Sequence, residues 1–174
     1  LQRLHHNRIT VLYLGDNKQW KVGQKRNALM QICRTPYLTF VDDDDWIDGN
    51  YFDTVLWNIE TYPDVECFGM TGWQTVDGKY YGEYDFDPTA TVQHNPRLVV
   101  DGVQVKKMVR KPNHICIWKT DIARRCRFPE KSLGEDHDWA DLQQVQGYKF
   151  RRLETDKLLY HYRFSKTGTQ TRLR

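Results

Sequence analysis

The 174-residue sequence predicts an α/β domain: a mostly parallel sheet flanked by helices, with a small antiparallel extension. Three observations carry that prediction. Strand-like and helix-like patterns alternate between Arg8 and Tyr62, which calls for parallel strands joined by crossover helices. The stretch "VECFGMTGWQTVDGKYYGEYDF" alternates instead and contains Asp77-Gly78, a hairpin turn signal. No repeat, low-complexity stretch or Gly/Ser linker divides the chain, so residues 1–174 read as one domain with enough length for a core.

The elements follow in order. "RITVLYL" (Arg8 to Leu14) reads as a nearly continuous buried strand ended by "GDN". From Gly23, "GQKRNALMQICRTP" reads as a helix with Ala28, Leu29, Ile32 and Cys33 on one face and Pro36 as its stop. "YLTFV" is the next buried strand. "GNYFDTVLWNIETY" is a second helix, with Phe52, Val55, Leu56 and Ile59 on one side. Residues 84–113, with Pro88, Pro96 and Pro112, read as irregular. "HICIW" is a strand, "GEDHDWADLQQVQG" a helix stopped by Gly147, and "YKFRRLE" and "KLLYHYRF" short strands before a tail, "SKTGTQTRLR", expected to be mobile.

Composition narrows the function. With 39% hydrophobic and 28% charged residues the chain reads as an ordinary globule, and a 13% aromatic share argues against disorder. A formal charge of +3 is too small to imply a nucleic-acid binder, and no nucleic-acid partner is expected. Basic runs at 106–111, 124–127 and 149–152 read as solvated faces or as attractors of an anionic substrate or membrane surface. Cys33, Cys67, Cys116 and Cys126 lack CxxC spacing and read as buried free thiols of a reducing, cytoplasmic setting. No apolar run reaches the length of a membrane span.

The chemistry concentrates at strand ends. Asp42, Asp43, Asp44 and Asp45 follow an apolar strand, and two unit charges about 5 Å apart repel by roughly 3 kcal/mol at an effective dielectric near 20. Carboxylates pinned together call for a cation. A turn with a helix cap explains one or two of them. A calcium loop needs alternate ligands around a central Gly, a spacing that is absent. A magnesium-like ion held by one or two carboxylates plus substrate phosphates fits the pattern. Ligands of open α/β sheets bind beyond the carboxyl ends of the strands, where both "GDN" and "DDDD" fall.

Lys25 and Arg26 stand in the first turn of a helix, a position that attracts anions. Glu135, Asp136 and Asp138 open another helix, as helix-favouring acids or as a general base. His161 reads as a structural histidine or as an imidazole ligand to a metal. Trp73, Trp118 and Trp139 read as core residues or as platforms for sugar faces.

Taken together, "GQKRNALMQICRTPYLTFVDDDDWI" and "GEDHDW" resemble the family-2-like glycosyltransferases of the GT-A fold, over roughly residues 9–60 and 114–165. The resemblance implies a GT-A-like, Rossmann-type domain whose residues 1–60 form the nucleotide- and metal-binding half and residues 61–174 the acceptor and catalytic-base half. In it, Asp42 and Asp44 take the D-x-D positions, Asp42 toward the ribose and Asp44 toward a Mn2+ or Mg2+ ion on the diphosphate. Asp43, Lys25, Arg26 and Glu135 join the nucleotide-sugar contacts, and Asp45 is a structural acid. Asp16 pairs with the nucleotide base, Asp136 is the catalytic base, and His161 completes the metal shell.

The implied reaction moves a sugar from a UDP- or GDP-linked donor to a glycan, lipid or protein hydroxyl, with inversion. The alternatives are a metal-dependent nucleotidyl or phosphoryl transferase and a degenerate, non-catalytic glycan-binding module. The family opens with a further strand and helix. Leu1 and Leu4 are expected as the tail of that helix, and the sheet edge left open is expected to promote a homo-oligomer and to weaken nucleotide binding.

Overall fold

The computed structural model describes residues 2–6, 8–90, 93–100 and 103–165, with side chains for 8–90 and 107–165. The expected mobile tail, from residue 166 on, and Leu1 lie outside the described residues. The chain forms two compact units, each drawing on both sides of residue 60: Leu1–Leu38 with Trp118–Tyr148, and Thr39–Ile117 with Lys149–Arg174.

In the first unit, β1 (Gln2–His6) and β2 (Ile9–Tyr13) form an antiparallel pair, with Gln2 opposite Tyr13 and His6 opposite Ile9. Leu4 therefore belongs to a strand and not to the tail of a helix. The strand read as buried is also more open than its sequence suggests: Val11 and Tyr13 are 47% and 56% exposed, because its alternate residues face outward from a two-stranded sheet.

Helix α1 (Val22–Ile32) stands where it is expected. Its buried face is turned, however, to Gly23, Arg26, Asn27 and Met30. Gly23 is dictated by close approach: a Cβ there would lie 1.9 Å from the Pro129 carbonyl oxygen. Asn27 exchanges two hydrogen bonds with the Phe128 main chain, each 2.9 Å. The carbonyls ending α1 are met by Arg124, whose guanidinium donates to Met30, Gln31 and Cys33.

β3 is short (Tyr37–Leu38) and pairs antiparallel with β10 (Ile117–Lys119). α3 (Thr120–Ala123) and α4 (Glu135–Gln146) complete the unit, and Gly147 closes α4 as expected. Trp139 is fully buried, stacked on Phe128 at 4.6 Å and edge-on to Trp118 at 5.1 Å. Its indole N–H donates to the Cys126 carbonyl, so Trp118 and Trp139 are core residues, not sugar platforms.

In the second unit, α2 (Tyr51–Thr61) buries Tyr51, Val55 and Asn58, while Phe52, on the face expected inside, is 36% exposed. Asn58 is drawn inward by hydrogen bonding: its side chain accepts the Glu154 N–H. β4 (Trp46–Ile47), β6 (Gly72–Val76), β7 (Lys79–Phe86), β8 (Gln93–Val100), β9 (Val103–Arg110) and β12 (Tyr160–Phe164) form one sheet, in the order β4-β12-β6-β7-β9-β8. β5 (Cys67–Gly69) runs parallel to β11 (Phe150–Arg152).

Parallel ladders also join β6 to β12 and β7 to β9, whereas β4–β12, β6–β7 and β8–β9 are antiparallel. Antiparallel pairing is thus wider than the small extension expected, because short hairpin links can join only antiparallel neighbours. The Asp77-Gly78 turn is one such link, both residues having positive φ (48° and 78°) as a type I′ turn requires. The region read as irregular holds β8 and β9. The prolines misled: Pro96 falls where the β8 register shifts, between Asn95 and Leu98, so its missing N–H breaks no regular ladder step. All four cysteines are free and buried.

Candidate functional site

The acidic loop lies in the second unit. Residues 39–41 leave regular strand geometry but stay laced to the chain near His114: the Phe40 N–H donates to the His114 carbonyl at 3.1 Å and the Thr39 hydroxyl to the Ile115 carbonyl at 3.0 Å. The loop then turns, with the Asp45 N–H donating to the Asp42 carbonyl.

The four carboxylates have different environments. Asp45 is buried, and its carboxylate accepts the Tyr160 hydroxyl at 2.7 Å and the Arg163 N–H at 2.8 Å. Burial nevertheless pushes its pKa up to about 7. Asp42 is held on two sides: its N–H donates to the Tyr160 hydroxyl, and its carboxylate lies 3.2 Å from His114 Nε2. Asp43 and Asp44 are exposed. The Asp44 carboxyl is raised above the usual carboxylate range, first by partial desolvation and then by the charges of Asp42 and Asp43.

His161 sits on β12 with Nε2 2.9 Å from the Thr75 hydroxyl, stacked on Trp73 at 4.6 Å and edge-on to Trp46. Partial burial and the Arg163 charge lower its pKa, which favours the neutral imidazole. Among the described residues no group of three or more His, Cys, Asp or Glu side chains is arranged to hold a metal ion, Asp44 and His161 included.

The remaining predicted residues belong to the first unit. The Asp16 carboxylate organises the turn after β2, accepting the N–H groups of Lys18 and Trp20 and pairing with Lys25 Nζ at 2.6 Å. The Lys25 hydrogen bond leads the interactions that hold its pKa below the ordinary value. Arg26 and Glu135 face one another in the interior, both nearly sealed from solvent, with the Phe128 ring 5.7 Å from the guanidinium carbon. Glu135 thereby pins the first residue of α4, and half-buried Asp136 follows it. Asp138 pairs with Lys131 at 2.6 Å.

His114, Tyr160 and Arg163 escaped the sequence reading, although they hold the acidic loop. His114 and Tyr160 lie 72 and 118 positions from Asp42, and no local motif links them to it. The one available signal was a tyrosine inside the apolar strand "LLYHYRF", since a buried hydroxyl needs a partner.

The sequence profile of glycosyl transferase family 2 matches residues 1–126, which include the acidic loop, Asp16, α1 and His114. The chain belongs to glycosyltransferase family 2. Solved structures similar to this family 2 chain include S. aureus TarS 1-349, at 17% identity and TM-score 0.54, covering 82% of this chain and 40% of that one. TarS 1-349 in complex with UDP-GlcNAc is similar at 15% identity and TM-score 0.55, covering 82% and 39%. TarS itself gives 16%, 0.55, 84% and 25%. The likeness establishes the GT-A-like α/β fold. The family 2 chain spans less than half the length of these proteins. A comparison with curated protein sequences gave no match. Among the described residues no helix is long and apolar enough to cross a membrane.

Proposed function

We propose that this family 2 chain transfers a sugar from a nucleotide-sugar donor to an acceptor hydroxyl, with inversion and with the help of Mn2+ or Mg2+. The observation that carries the reading is the acidic loop. Asp42 is fixed by two hydrogen bonds and Asp45 is turned inward, which leaves Asp43 and Asp44 facing solvent.

The donor chemistry fits a hard divalent ion, which takes one or two carboxylates and fills its shell with substrate phosphate oxygens and water. The raised pKa of Asp44 fits as well, because part of it comes from like charges that a cation offsets. Asp44 would hold the ion, and what such an ion supplies when bound is stabilisation of charge on the departing diphosphate.

Asp42 accepts a hydrogen bond from the ribose side of the donor. Asp136, at the start of α4, takes the proton of the acceptor hydroxyl. The acceptor oxygen forms its bond to the anomeric carbon as the bond from that carbon to the diphosphate oxygen breaks, and a single displacement inverts the centre. The solved complex of TarS with UDP-GlcNAc supports a uridine-linked donor, and the acceptor is a glycan, lipid or protein hydroxyl.

The test offers the chain UDP- and GDP-sugars with Mn2+ and follows release of nucleoside diphosphate. Release from at least one sugar nucleotide, lost in Asp44→Asn, is expected. Turnover of nucleoside triphosphates with none of sugar nucleotides contradicts the reading and favours nucleotidyl transfer. The same release of nucleoside diphosphate from Asp44→Asn contradicts the role of Asp44.

A further inference from the structure

His114 is the residue beneath the acidic loop that neither the motifs nor the family match singles out. It is 5% exposed and fixed by its neighbours. Its carbonyl accepts the Phe40 N–H, the Ile115 N–H that follows donates to the Asn113 side chain, and the Phe40 ring lies tilted over the imidazole at 6.4 Å. From this fixed ring Nε2 reaches the Asp42 carboxylate at 3.2 Å. An ionised carboxylate only accepts hydrogen bonds, so the tautomer that matches this pairing has its proton on Nε2. The Asp42 backbone is tied separately, through its N–H, to the Tyr160 hydroxyl that also donates to Asp45.

Asp42 thus has both its main chain and its side chain oriented from below, while 32% of the side chain remains accessible. We infer that His114 is a positioning residue for Asp42: its Nε2–H fixes the rotamer in which the second carboxylate oxygen is presented to the donor. This rests on the reading of Asp42 as a donor contact. Holding a contact group in its bound geometry strengthens binding by removing the need to order it on association. The effect therefore falls on donor affinity rather than on turnover of bound donor.

The experiment titrates UDP with Mn2+ into the full chain and into His114→Met, His114→Gln, Asp42→Asn and the double variant Asp42→Asn/His114→Met. Gln places an amide N–H near the position of Nε2, whereas Met fills space without donating. His114→Met should weaken UDP binding about 10-fold and raise the donor KM with little change in kcat, and His114→Gln should stay within about 3-fold of wild type. The double variant should bind no more weakly than Asp42→Asn alone, because His114 acts through Asp42.

Imidazole nitrogen shifts of isotope-labelled wild type, assigned by comparison with His114→Gln, supply a readout that does not depend on His114→Met folding. Nε2 should be protonated, and its shift should move in Asp42→Asn. An unprotonated Nε2, equal UDP affinity in folded His114→Met, or additive losses in the double variant overturns the inference. If Asp42→Asn binds UDP as wild type does, the donor reading of Asp42 fails and takes the affinity effect of His114 with it. The nitrogen shifts then show separately whether the pairing exists.

Discussion

Changing Glu135 to Gln removes a buried negative partner of Arg26 while keeping the shape of the side chain. Both residues are nearly sealed, at 5% and 6% exposure, so the guanidinium left behind has little access to water. Breaking a buried ion pair by removing one partner costs about 3–5 kcal/mol, because the other charge stays buried without that counter-charge. Two features place this case at the lower end, about 3 kcal/mol. The Gln amide oxygen still accepts from the guanidinium, and the Phe128 ring 5.7 Å away offers its electron-rich face. Replacing both partners, in Arg26→Met/Glu135→Leu, should cost much less than the two single changes summed, since no charge is stranded. Urea unfolding followed by tryptophan fluorescence measures Glu135→Gln, the double variant and its two single changes, Arg26→Met and Glu135→Leu, with buried Trp118 and Trp139 in the same unit as reporters. Added salt should change the losses little, because buried pairs are poorly screened. A Glu135→Gln loss below about 1 kcal/mol, or one that fades in salt, would show a surface pair and refute the reasoning.

Three other outcomes follow from the same geometry. Asp45 has a folded-state pKa raised from the ordinary 3.8 to about 7, so the unfolded chain releases its proton first and stability falls as pH rises from about 4 to about 7. Without added divalent ion, Asp45→Asn should therefore gain on wild type by up to about 4 kcal/mol between pH 4 and pH 8, and thermal melts showing a constant difference across that range would contradict it. Gly23→Ala forces a methyl group to within 1.9 Å of the Pro129 carbonyl oxygen and should cost at least about 1–3 kcal/mol; a melting temperature equal to that of wild type would show that the α1 contact yields. Asp136→Asn should lower kcat by about 10²–10⁴-fold and leave donor affinity near wild type; a stability loss of about 0.3–1 kcal/mol with turnover intact would mark Asp136 as a first-turn acid that stabilises α4 instead.

Local patterns were legible in the sequence. The alternation of strands and helices gave the α/β class, Asp77-Gly78 gave a hairpin, and Gly147 gave a helix end. Helix faces were misread where polar residues are buried for tertiary reasons. Asn27 and Asn58 face inward because each meets a main-chain partner about a hundred positions away, and hydrophobic periodicity carries no trace of such a partner. Pro96 hid a strand by sitting where its register shifts. At the site, the carboxylate run was visible at once, but the division of labour within it was not. Asp45 points inward and Asp42 is braced because Tyr160, Arg163 and His114 arrive from distant segments. Lys25 and Arg26 likewise stood out by their helix position, but their partners did not: Lys25 meets the Asp16 carboxylate and Arg26 pairs with Glu135, 109 positions away, in the interior of their unit.

The central claim, that the acidic loop of this family 2 chain binds the diphosphate of a nucleotide-sugar through a divalent ion at Asp44, is tested most directly by calorimetric titration of UDP. The titration is run with Mn2+, with chelator in place of Mn2+, and with Mn2+ in Asp44→Asn. Saturable binding to wild type with Mn2+, weakened at least about 10-fold by chelator and by Asp44→Asn alike, is the expected result, since each removes one side of the same carboxylate–cation–diphosphate contact. UDP binding of equal strength under all three conditions would contradict it.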